Sequence, residues 1–176
     1  GAGLGAGFAT GLLFLLPPGD ALRAAAVAGA VAAALLPAPK LIRLALPALA
    51  VLSALLIPHS WLAPRITEFK GLPRILQVMG AEVEAEVSSP YGLLTIVRNE
   101  KIPFRHAPGR SLAATSEPPP QLAVFTDGDA MTALTDHRGR REALAWLDET
   151  TSALPYHLTE RPRVLVLGAG GGAEIL

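Results

Sequence analysis

The chain closes on RVLVLGAGGGAEIL, where Gly168, Ala169, Gly170, Gly171, Gly172 and Ala173 directly follow the apolar run Val164, Leu165, Val166 and Leu167. Glycines in such a place do three things. They permit positive φ, let a ligand approach the backbone closely, and leave amides exposed at the start of a helix. That is the chemistry of a nucleoside or phosphate cradle at the carboxyl end of a strand. Gly168-x-Gly170-x-Gly172 fits the spacing of S-adenosyl nucleoside enzymes, while Gly168-x-Gly170-x-x-Ala173 fits a dinucleotide fingerprint with its permitted final Ala. The turn alone leaves both open. The acidic residue about 20 positions on that would grip a ribose lies beyond Leu176.

Other residues that could carry chemistry are read more simply. Glu82, Glu84 and Glu86 alternate with Ala81, Val83, Ala85 and Val87, the period of a half-buried strand. Carboxylates spaced about 7 Å apart along one strand face do not converge on one ion, so no metal site is expected. The chain has no Cys, and its 15 basic and 15 acidic residues cancel. Disulfide frameworks, thiolate metal sites and nucleic-acid partners are therefore set aside. The N-terminal GAGLGAGFATG is as glycine-rich as the closing turn, but no strand precedes it. Gly3, Gly7 and Gly11 recur every fourth residue, the spacing of close helix packing. His59 and Trp61 read as interfacial residues.

The elements that must position the glycine turn fall into unlike parts. Of the charged residues, only Asp20, Arg23, Lys40 and Arg43 lie in positions 1–63. Three apolar runs fill that segment, Leu4–Leu16, Ala21–Leu36 and Leu44–Leu62, and a bilayer span needs roughly 20 helical residues. Transmembrane α-helices are the expectation, with a boundary near Pro64. Arg23, Arg65, Lys70 and Arg74 on one side outnumber Lys40 and Arg43 on the other, which places the charged domain in the cytoplasm. A small antiparallel β unit follows: AEVEAEV, then YGLLTIVRN after the Ser88-Ser89-Pro90 break, then two short apolar runs around Asp127-Gly128, a strong hairpin signal. A helical pattern follows from Arg138 to Leu158, with Asp136 as a candidate cap and Pro155 as a break or a new start. Val164–Leu167, four uninterrupted apolar residues, reads as a strand buried on both faces of a parallel α/β sheet.

In order, these motifs resemble the spermidine synthase family of polyamine aminopropyltransferases, in particular bacterial members fused to N-terminal membrane helices. They are SSPYGLLTIV, the hairpin FTDGDAMTAL, LPYHL and PRVLVLGAGGG, within residues 65–176. The resemblance implies a small β domain leading into a methyltransferase-like, Rossmann-like sheet. It implies a nucleoside site at Gly168, Ala169, Gly170, Gly171 and Gly172 for decarboxylated S-adenosylmethionine or S-adenosylmethionine as substrate. Tyr156 and His157 match the family's Tyr-His pair at the polyamine site. The sequence departs from the family at Gly92 and Met131, where a Gln is usual, at Gly171, where an Asp contacts the polyamine, and at Leu158, where a Glu follows Tyr-His. Lost carboxylates matter, because a cationic acceptor needs anions.

The expectation is therefore the N-terminal part of a membrane-tethered transferase that moves an aminopropyl group to a small-molecule amine. Transmembrane helices occupy 1–63, a linker with the β domain and helix 64–160, and the opening of the nucleoside-binding α/β domain 161–176. The site of action is the bacterial inner membrane, with the bilayer as a partner and a homo-oligomer left open. The chain starts without Met and ends inside a motif, so catalytic groups are expected downstream of Leu176 and this segment alone is expected to be inactive. Three alternatives stand: an S-adenosylmethionine-dependent methyltransferase, an NAD(P)-binding oxidoreductase or sensor, and a non-enzymatic membrane protein with a degenerate synthase-like domain.

Overall fold

A computed structural model describes residues 2–37, 39–173 and 175. The chain divides into two compact units, one formed by residues 1–66 with 87–93, the other by residues 67–86 with 94–176.

The first unit holds α1 (Ala2–Leu15), α2 (Pro18–Ala34), α3 (Lys40–Leu56) and the short α4 (His59–Leu62). Pro17-Pro18 separates α1 from α2, with Pro at the first turn of α2, where its missing N–H costs nothing. α2 packs chiefly on α3. The buried positions of α2 and α3 are small: Gly19, Ala21 and Ala30 on α2, Ala54 on α3. At Gly19 a Cβ would lie 3.2 Å from both the Cβ and the carbonyl oxygen of Leu62, so the close approach expected of Gly3, Gly7 and Gly11 occurs there instead. Those three have nothing within 4 Å of a built Cβ. One polar cluster pins the unit. Arg23 donates from Nη2 to the Ile57 carbonyl at 2.6 Å, and its Nη1 meets Asp20 at 3.3 Å and His59 Nδ1 at 2.9 Å.

The transmembrane expectation is overturned. Among the described residues no helix is long and apolar enough to cross a membrane. α2 and α3 have 17 residues each and α1 has 14, so even the longer two rise only about 25 Å against a hydrocarbon core of about 30 Å. The longest apolar run, Leu44–Leu62, is broken where Ile57 turns extended (ψ 124) before Pro58, because the residue before a proline avoids the α region. The tethered, multi-pass inner-membrane placement falls with it.

The sheet runs β1 (Ala81–Ser89), β2 (Gly92–Asn99), β3 (Gln121–Thr126) and β4 (Asp129–Thr135), in the order β1-β2-β3-β4, and all of it but residues 87–93 belongs to the second unit. β2 pairs β3 and β3 pairs β4 antiparallel. Asp127 and Gly128 have φ of 51° and 75°, the double left-handed geometry that a two-residue I′ hairpin demands. Period-two alternation puts Thr95, Val97 and Asn99 on one buried face with Gln121, Ala123 and Phe125, in the register Thr95↔Phe125 and Val97↔Ala123. α5 (Gly71–Leu76) docks on the hairpin turn: Leu72 N–H donates to the Gly128 carbonyl at 3.0 Å and Lys70 Nζ to the Asp127 carbonyl at 2.6 Å. Arg98 closes the β1–β2 face with two 2.8 Å bonds to Glu84. The guanidinium thereby holds the Glu84 carboxyl below its ordinary range.

The α/β expectation also falls. Val164–Leu167 forms no strand, and Leu165 and Leu167 are more than four-fifths exposed. A continuous apolar strand is buried only between parallel neighbours, and the described strands form an antiparallel sheet that offers none. The stretch read as one helix is a 3-10 run over Arg141–Glu149, another over Thr151–Ala153, and then α6 (Leu154–Leu158) with Pro155 in its first turn. Asp136 does not cap it; its carboxylate pairs with Arg138 at 3.2 Å. Glu174 and Leu176 of the expected closing helix lie outside the described residues.

Candidate nucleoside and amine site

The glycine turn folds back onto β4. Gly168, Gly170 and Gly172 have φ of 75°, 51° and 82°, conformations that side chains disfavour, and Gly172 N–H bonds to the Ala169 carbonyl at 2.8 Å. At Gly171 the constraint is contact. A Cβ there would lie 2.1 Å from the Ala133 carbonyl oxygen and 3.1 Å from Thr132 Cγ2. The Asp that the resemblance to spermidine synthases implies at this position has no room.

Two cavities border the turn and share Ala173. The first, about 260 Å³, is lined by Ala169, Gly171 and Ala173 of the turn, Met131 and Thr135 of β4, and the buried Gln121 and Trp146. Gln121 is fully engaged: Oε1 accepts from His106 N–H, and Nε2 donates to the His106 carbonyl at 3.1 Å and to Thr135 Oγ1 at 3.3 Å. Met131, one of the departures, thus stands beside the glycine turn. Gly92 and Leu158 line neither cavity.

The second cavity, about 370 Å³, is lined by Ala173 and Ile175, by Tyr156, and by Leu147, Asp148, Thr150, Ser152 and Ala153. Among the described residues, Asp148 is its one charged side chain. Thr150 and Ser152 form a hydroxyl pair 3.0 Å apart. Tyr156 and His157 part company, because neighbours on a helix point about 100° apart. His157 lines a third cavity of about 530 Å³ with Arg110, Ser111 and again Asp148. His157 Nε2 lies 3.8 Å from Asp148 Oδ1.

Glu149 builds the wall of that third cavity. Its carboxylate accepts from the Thr115 N–H and hydroxyl at 3.0 and 3.1 Å, and from the Ser116 N–H and hydroxyl at 3.1 and 2.6 Å. Ser116 first, then Thr115, thereby lower its carboxyl to about 2. The backbone ties the same loop down: Ser111 N–H bonds to the Glu149 carbonyl at 2.8 Å and Thr151 N–H to the Gly109 carbonyl at 2.9 Å.

Sequence reading overlooked Gln121, Trp146, Arg110 and Asp148. Only Gln121 carried a usable signal, since it sits in phase with Ala123 and Phe125 on the buried face. The others are brought in by loops and 3-10 turns whose course no local pattern encodes. No family model matches the chain, and no curated protein or solved structure matches it.

Proposed function

We propose that this chain belongs to a spermidine synthase-like transferase and contributes an S-adenosyl nucleoside site at Gly168–Gly172. The observation that carries the reading is the gathering of separate motifs around two cavities. Ala169 and Gly171 meet Met131 of the Asp-Gly hairpin, and Ala173 meets Tyr156. Backbone at the turn can approach a ribose or a base closely because no side chain intervenes.

In the reaction, the lone pair of a deprotonated amine attacks the carbon next to the sulfonium of decarboxylated S-adenosylmethionine. A C–N bond forms as the C–S bond breaks, its electrons returning to sulfur to leave a neutral thioether, and the nitrogen's extra proton passes to a base. Most of the rate comes from holding the two reactants in line.

Gly170 provides the test: a Cβ there meets only atoms 3.9 Å away, while its φ of 51° confines the strain of a side chain to the turn itself. In the protein at its full natural length, Gly170→Val is expected to abolish S-adenosyl nucleoside binding in calorimetry with little change in circular dichroism. Unchanged affinity would move the nucleoside away from the turn.

A further inference from the structure

Trp146 is 4% exposed, and its indole N–H finds no acceptor among the described residues. Buried tryptophans ordinarily place that donor on a partner, because a buried donor left unpaired loses its hydration without compensation. The residue lines the first cavity, beside Ala169, Gly171 and Ala173 of the glycine turn. An acceptor brought into that cavity is what the donor lacks. Gln121, buried in the same wall, is not that acceptor: its Oε1 already accepts from His106 N–H and its Nε2 donates twice. At about 260 Å³ the space falls below the roughly 300–1,000 Å³ that holds a whole drug-sized ligand, so it suits one flat ring system better than a complete nucleoside. Met131, Ala133, Ala169 and Ala173 give it apolar walls. A ring packed between them must carry its acceptor on its edge, and a purine does, in its ring nitrogens.

Resting on the nucleoside reading above, we infer that this cavity takes the purine base and that Trp146 Nε1 donates to one of its ring nitrogens. Met131, where the synthases carry a Gln, fits the same role, since a thioether packs well against an aromatic ring. Trp146 positions and selects; a ring lacking the acceptor leaves the N–H unpaired again and is rejected for that reason.

Calorimetric titration of the protein at its full natural length with adenosine and its 1-deaza, 3-deaza and 7-deaza analogues tests this. One analogue, the one missing the acceptor, is expected to bind about tenfold more weakly than adenosine, as loss of a single buried hydrogen bond does, and the indole N–H proton resonance of Trp146 should move downfield when adenosine is added. Trp146→Phe should weaken adenosine by a similar factor while leaving that one analogue near its wild-type affinity, because the two changes remove the same bond. The wild-type series and the resonance shift decide the matter even if Trp146→Phe folds poorly. Equal affinity for adenosine and all three analogues, or a wild type that binds decarboxylated S-adenosylmethionine but no adenosine, would overturn the Trp146 assignment and spare the glycine turn. Failure to bind either nucleoside would instead overturn the glycine-turn reading, and the base cavity with it.

Discussion

Gly171 lies so close to Ala133 that a Cβ on it would sit 2.1 Å from the Ala133 carbonyl oxygen and 3.1 Å from the carbonyl carbon. The obstacle is backbone of a paired strand, which has no rotamer to retreat to. This close approach, more than the positive φ of its neighbours, is what demands a glycine at 171.

Gly171→Ala should therefore cost more than Gly172→Ala, whose built Cβ meets nothing within 4 Å. Overpacking of this kind costs about 1–3 kcal/mol, and a left-handed alanine about 1–2 kcal/mol. Urea denaturation of the two variants side by side gives the comparison. Gly171→Asp, which introduces the residue that spermidine synthases carry at the matching position, should be at least as destabilising as Gly171→Ala.

Acid should loosen the loop that Glu149 holds. Its carboxyl sits at about 2 in the folded chain against an ordinary 4.5, so the unfolded state takes up the proton first as pH falls. The stabilisation is fully present above about 4.5 and is lost as pH falls through about 2. Melting temperature followed over that window should drop in the wild type and drop less in Glu149→Gln, which starts lower.

Phe125 is 1% exposed and faces Thr95 across the β2–β3 register. Phe125→Ala should cost about 3–5 kcal/mol, the usual range for emptying an aromatic core site. Near-ultraviolet circular dichroism and denaturant midpoint of the β unit report it.

Arg23 ties α2 to the Ile57 carbonyl and to His59. Arg23→Met keeps the stem and removes the donors. Hydrogen bonds from charged groups contribute about 1.5–3 kcal/mol each, and partial exposure of the side chain at 23% reduces this to about 1 kcal/mol. Amide exchange near Ile57 should accelerate while exchange in β3 stays unchanged.

What the sequence disclosed follows from how local each signal is. Asp127-Gly128 specifies its own turn, and the strict alternation of Ala81 to Val87 declares the strand β1. Hydropathy over Leu44–Leu62 sums composition without seeing that Ile57-Pro58 ends the helix, so a long apolar run yielded two helices too short to span a membrane. Val164–Leu167 has the composition of a central strand, but such a strand exists only with neighbours, and Val164, Leu165 and Leu167 are exposed instead. The site is less legible still: Asp148 and Tyr156 lie eight positions apart on irregular 3-10 and helical turns, and their shared cavity depends on how those turns fold against Ala173.

The glycine turn is the central claim, and the most direct measurement is calorimetric titration of the protein at its full natural length with decarboxylated S-adenosylmethionine, S-adenosylmethionine and NAD. Tightest binding of the decarboxylated nucleoside, abolished by Gly170→Val, is the expected result. Binding of NAD alone, or of no nucleoside at all, would contradict it.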